Sequence, residues 1–234
     1  MSDVPTSIQF FDPRHGLHCS ARAGATLLFE GAGSRVLADG PRVERAGRGW
    51  RARLEGELEL ELEPIAPAAE LHGVTAHVCD VRGRVGEREL RCLGTFAETH
   101  VAPEWDRLDA LRSISGLFDR DNALLAIAQR PQGAVGHGVE RNAAWLLRDG
   151  EPVEIEELRL STVYDGDGRQ RSAGVELWLS DEEHPLRASG TVVAGSSLQL
   201  EGIEVHAAVF RWRMGEREGA GAYELMSRSE LLAA

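Results

Sequence analysis

Lysine is missing from this chain of 234 residues: all 26 basic residues are arginine. That excludes a Schiff-base lysine and the lysine of a phosphate-binding P-loop. Cysteine is scarce as well. Cys19, Cys79 and Cys92 are odd in number and lack CxxC spacing, so they read as reduced, buried residues of a cytoplasmic protein. No apolar run approaches the ~18 residues that span a bilayer, so no stable membrane insertion is expected. The opening MSDVPTSIQFF has no basic segment followed by an apolar one, unlike a secretory signal. Nor is there a basic face. The net charge is −12 and arginines always have carboxylates nearby, so no nucleic-acid partner is expected.

What is present is alternation. Trp50, Ala52, Leu54, Gly56, Leu58, Leu60 and Leu62 share one parity, and Arg51, Arg53, Glu55, Glu57, Glu59, Glu61 and Glu63 the other. Period two makes this a half-buried strand, with Gly56 as a bend or bulge. The glutamate row needs cations across from it, and RVERAGR at 42–48 and RGRVGERELR at 82–91 supply them. Short strands continue along the chain with turn signals such as Asp149-Gly150 between them. Only the tail MSRSELLAA reads as a helix, and LDALRSIS fits either state. The expectation is all-β and antiparallel, as a barrel or sandwich. There are more strands than one eight-stranded barrel needs. We therefore expect an N-terminal lobe over 1–98 and a C-terminal lobe over 99–234 with a short C-terminal helix, or one large barrel or sandwich in their place.

Familiar motifs fail. GAGSRV and GAGAYE lack the third glycine of a dinucleotide loop, and no GxSxG elbow occurs. YDGDGR lacks the twelfth-position glutamate of a calcium loop and reads as a hairpin turn. HGLHC has no second ligand pair, so no metal site is expected.

Polar residues on apolar faces are more informative, since burying them is costly unless they are paired or wetted. His137 and Arg141 interrupt the row Val135, Val139, Ala143, Trp145, Leu147. Glu98 and His100 extend the row Leu90, Cys92, Gly94, Phe96, and could form a carboxylate–imidazole pair. His206 shares a face with Ala208, Phe210 and Trp212, and Tyr164 with Leu158, Leu160 and Thr162. His206 alone reads more simply as a hydrogen-bonded core residue. Glu104, Trp105, Asp106 and Arg112 fall at the expected lobe junction, a preferred place for pockets.

The order Gly94, Glu98-x-His100, Trp105-Asp106, Arg112, Phe118-Asp119, His137-Gly138, Tyr164-Asp165-x-x-Gly168 and the closing FRWRMGEREGAGAYE resembles the lipocalin-like superfamily of carotenoid 1,2-hydratase (hydroxyneurosporene synthase) and its bacterial relatives. The resemblance is strongest over 90–226. The relatives often carry a His-x-Trp-Gly stretch where this chain has His100 and Trp105 apart, and they are mostly longer. What the resemblance implies is a tandem lipocalin- or calycin-like pair of β-barrel lobes with an apolar cavity and a few ionisable groups, tied to isoprenoid and other lipid-like molecules, rather than one particular hydration.

Two functions follow as expectations. The first is a cofactor-free acid–base enzyme that hydrates, cyclises or isomerises an isoprenoid-, terpenoid- or polyketide-like molecule. Asp106 or Glu98 would protonate the double bond, and His100 or His137 would direct water or take the last proton. Trp105, Trp145 and Tyr164 would face the cation. Arg112 and Arg141 would hold a ligand carboxylate, and His206 and Phe210 would line the cavity. The second is a lipocalin-like carrier of a hydrophobic small molecule. A β-protein with a solid core is the third possibility.

Overall fold

In the computed structural model, which describes residues 4–135, 139–180 and 182–228, the alternating stretch becomes a hairpin rather than one bent strand. β6 (Gly49–Leu54) turns at Glu55-Gly56 into β7 (Leu58–Pro64), with Leu54 opposite Leu58 and Trp50 opposite Leu62. Gly56 has φ +72°, a backbone conformation that costs glycine nothing, so the residue expected to bend the strand reverses it instead. Pairing partners share parity, so Trp50, Ala52, Leu58, Leu60 and Leu62 remain on one face and are buried together. The charged face pairs across the hairpin, Arg51 with Glu61 at 3.0 Å and Arg53 with Glu59 at 2.8 Å. Arg48 and Arg84 reach Glu63 and Glu59 from the two expected segments.

The first sheet also contains β1 (Thr6–Asp12), β2 (Leu17–Arg22), β3 (Ala25–Glu30), β4 (Gly33–Leu37), β5 (Arg42–Ala46), β8 (Ala69–Leu71), β9 (Val74–Val85) and β10 (Arg88–Thr99). Its order is β4-β3-β2-β1-β10-β9-β7-β6-β5, with β8 on β9. The second holds β11 (Leu108–Leu117), β12 (Ala123–Pro131), β13 (Arg141–Arg148), β14 (Glu151–Val153), β15 (Glu157–Tyr164), β16 (Gln170–Trp178), β17 (Leu186–Leu200), β18 (Ile203–Met214) and β19 (Arg217–Arg228). Its order is β14-β13-β12-β11-β19-β18-β17-β16-β15. Every pairing is antiparallel, and each sheet curls into a half-barrel, giving tandem lipocalin-like lobes. LDALRSIS lies in β11. Met226–Arg228, read from sequence as the start of a helix, complete β19 instead, because they pair with β18 as far as Ile203. Residues 229–234 lie outside the described residues.

Three apolar clusters follow from the alternation. The N-terminal lobe is filled by Ile8, Phe10, Trp50, Leu60, Leu62 and Phe96 among others, with the Trp50 and Phe96 rings stacked at 3.8 Å. The C-terminal lobe is filled around Phe210, Trp212 and Tyr223. The third cluster lies between the lobes and draws Phe11, Leu27, Phe29 and Val78 from one and Leu111, Leu125, Ile127 and Val209 from the other. The central strands of each sheet are thus buried on both faces, one toward its own lobe and one toward the partner lobe. Docking of this kind, with a shared apolar core, makes the two sheets one packed unit rather than beads on a linker.

Candidate functional site between the lobes

The interlobe face of β1 carries Ser7, Gln9 and Phe11, and that of β2 carries His18, Ser20 and Arg22. Their odd–even neighbours Ile8, Phe10, Cys19 and Ala21 point into the N-terminal lobe. From the other side, β19 presents Ala220, Ala222, Glu224 and Met226, and β11 presents Leu111, Ser113 and Ser115. Where these strands diverge they enclose a cavity of about 1050 Å³. Its walls are mostly apolar, including Leu71, Val74, Ala97, Leu125, Ile127 and Met226. One end is lined by Pro103, Trp105, His100 and the β17–β18 turn at Glu201-Gly202, where His100 is exposed.

A single carboxylate is buried in this wall. Glu224 is 3 % exposed, and its two oxygens accept from Ser20 Oγ at 2.5 Å and from Arg22 Nη2 at 2.5 Å. Gln9 adds a further hydrogen bond and is itself fixed, since its Oε1 accepts from Ser115 Oγ at 2.9 Å and from Thr95 Oγ1. Ser115 Oγ in turn accepts the Ala222 amide at 3.0 Å. Burial pushes the Glu224 carboxyl upward, but the Arg22 charge and the hydrogen bonds from Ser20, Arg22 and Gln9 outweigh it, so its pKa lies below the usual carboxylate range. At neutral pH Glu224 is therefore an ionised, oriented carboxylate facing an apolar space.

The residues singled out from sequence divide among several places. His100 and Trp105 line the cavity. Glu98 does not join His100. The strand ends at Thr99, the His100 amide bonds to Gly73 O as the chain leaves the sheet, and the shared face ends with it. Glu98 is half-buried and its charge acts on His77, whose pKa is lowered chiefly by burial. Asp106 sits on a single 3₁₀ turn at Trp105–Arg107 with its side chain 89 % exposed and paired with Arg228, which is no setting for a buried acid. Arg112 is buried inside the C-terminal lobe against Glu140, so its charge is already matched. Arg141 is exposed and bonds Gln129, because β13 only begins there. Trp145 packs on the interlobe core. Phe210 is enclosed in the C-terminal lobe core. Tyr164 is exposed at the end of β15, beyond the register shift at Val163. His206 is a satisfied core histidine, with Nδ1 2.6 Å from Ser197 Oγ and Nε2 3.2 Å from Glu204. His137 lies outside the described residues. In HGLHC, His15 bonds Asp12 at 2.6 Å while Cys19 faces the N-terminal core.

Sequence reading missed Glu224, Arg22, Ser20 and Gln9. The signal was available. LHCSAR is buried almost throughout, and AGAYELM carries one carboxylate in a row of alanines and methionine. A polar row on a strand buried on both faces marks a second interior.

No family model and no curated sequence matches the chain. Solved structures do. A candidate AttH (NE1406) from Nitrosomonas europaea superposes with a TM-score of 0.64 at 14% identity, over 94% of this chain and 90% of that one. Kievitone hydratase from Nectria haematococca superposes at 0.58 and 9% identity, over 96% and 88%. At such identities the likeness is one of fold: this chain has the two-lobed architecture of those proteins along nearly its whole length. Among the described residues no helix is long and apolar enough to cross a membrane.

Proposed function

We propose that the chain is a distant relative of the carotenoid hydratase superfamily and binds an apolar, isoprenoid- or polyketide-like molecule between its lobes. In this reading Glu224 is the general base of a hydration or double-bond isomerisation that uses no cofactor. The observation that carries the reading is a buried, ionised carboxylate in the wall of a cavity large enough for a ligand of some tens of atoms. Glu224 takes a proton from a water held beside the double bond, or from carbon next to it. Gln9, Ser20 and Arg22 keep the carboxylate aimed. His100, at the mouth, exchanges protons with solvent, and Trp105 covers the ligand. The route that begins by protonating an unactivated alkene has less support, because it needs a carboxylic acid and Glu224 is held as the anion. The name of the kievitone enzyme, a hydratase on the same fold, supports water addition as the reaction class. Three free cysteines, two of them with thiol pKa values pushed up to about 12 chiefly by burial, support a reducing, cytoplasmic setting.

The test uses ¹⁸O-labelled water and a mixture of terpenoid and polyketide substrates. The wild type incorporates label or shifts a double bond, and Glu224→Gln lowers turnover by about 10²–10⁴ while retaining ligand. Equal ligand binding with no turnover by either protein would make this a carrier.

A further inference from the structure

Arg22 is not exhausted by its carboxylate. Its side chain is 18 % exposed, lines the cavity, and bonds Glu224 through Nη2. Among the described residues Nη1, the other terminal nitrogen, meets only the thioether of Met226, at 3.6 Å. A thioether is a weak acceptor, and a guanidinium N–H gains far more from an oxygen. Of the polar groups beside Glu224, Gln9 Oε1 takes Ser115 and Thr95, and Ser115 Oγ takes the Ala222 amide. The other arginine on the cavity wall, Arg228, is turned to Asp106. A cationic donor with an unfilled bond therefore stands beside the base, at the polar end of an otherwise apolar space.

We propose that the cavity's substrate carries a carbonyl conjugated to the reacting double bond, and that Nη1 of Arg22 binds that carbonyl oxygen. The inference rests on Glu224 as the base. The step balances without a further reagent. Water gives a proton to the Glu224 carboxylate as its oxygen bonds to the β-carbon. The carbon–carbon π pair shifts, and the carbonyl π pair moves onto oxygen as an enolate held by Arg22. The α-carbon then takes the proton back from Glu224, so H and OH have been added and the carboxylate is restored. A fixed donor aimed at the developing oxyanion stabilises the transition state more than the substrate. An unactivated isoprenoid alkene gives Arg22 no oxygen to bind.

The experiment titrates the protein calorimetrically with trans-chalcone and β-ionone, each against its methylene analogue in which CH₂ replaces the carbonyl. We expect each ketone to bind at least tenfold more tightly than its hydrocarbon, and Arg22→Gln to bring that ratio close to one. Should that variant fold poorly, the carbonyl stretch of chalcone bound to the wild type decides. A band lowered from its position in an apolar solvent supports the Arg22 bond, and an unmoved band overturns it. Equal affinities for ketone and hydrocarbon overturn the carbonyl inference alone. If neither member of either pair binds, the reading of the cavity as an apolar ligand site fails, and this inference with it.

Discussion

Arg22→Gln is the most revealing perturbation of the interlobe site. It removes the cation from a carboxylate that is almost wholly buried, and the pair joins β2 of one lobe to β19 of the other. Breaking a buried ion pair from one side costs about 3–5 kcal/mol, because the remaining charge is left without its partner. Ser20 and Gln9 still reach Glu224, and Arg22 is not itself fully buried, so the lower end, about 3 kcal/mol, is expected. The pH dependence should also change sign. In the wild type the folded-state pKa of Glu224 is depressed, so the group adds stability above its unfolded pKa, and that stability is lost as pH falls through the folded value. Without Arg22, burial dominates and the folded pKa rises above the unfolded one. The variant's deficit is then smallest at low pH, grows between the depressed and the raised folded values, and levels off above the raised one. Urea unfolding followed by tryptophan fluorescence, at about pH 5 and about pH 8, measures both effects. Replacing both partners, as Arg22→Met with Glu224→Leu, should recover most of the loss. A cost under about 1 kcal/mol with the wild-type pH slope would refute the buried pair as described.

Leu60→Ala, in the N-terminal core at 1 % exposure, should cost about 2–5 kcal/mol in urea unfolding, with ligand binding unchanged in the protein that remains folded. Gly221→Ala should abolish soluble folding or separate β11 from β19, because its Cβ would stand 1.8 Å from the backbone oxygen of Ser115; a soluble variant with wild-type stability would contradict this packing. Glu61→Ala breaks only the exposed pair with Arg51, and its urea unfolding midpoint should match that of the wild type within error.

The fold was legible because period two is a local signal that a sheet preserves. Leucines 58, 60 and 62 lie inside, as their parity requires, and the arginines and glutamates opposite them pair outside. What period two could not supply was direction. Parity is conserved across the Glu55-Gly56 turn, so a hairpin and a long bent strand give the same pattern over residues 50–62. The site was harder for a related reason. Strands sandwiched between two interiors have no solvent face, and the polar row on β2 was masked by an alternating apolar row that answered the usual test. Glu98 and His100 share parity, but a shared face lasts only as long as the strand, and this one ends between them. Arg112 and His206 are both buried, yet each already has partners: Arg112 meets Glu140, just before β13, and His206 meets Ser197 of β17 and Glu204 two residues before it on β18. Parity within one strand shows Glu204 but not Glu140 or Ser197.

The account's central claim is that the space between the lobes, not the inside of either lobe, holds an apolar ligand. The most direct measurement is mass spectrometry of organic-solvent extracts. These would come from purified protein incubated with mixed terpenoids and polyketides, comparing the wild type with Ala97→Trp, which fills the interlobe cavity. The account predicts a stoichiometric apolar molecule from the wild type and its loss from the variant. An equal yield from both proteins, or a clean extract from the wild type, would contradict it.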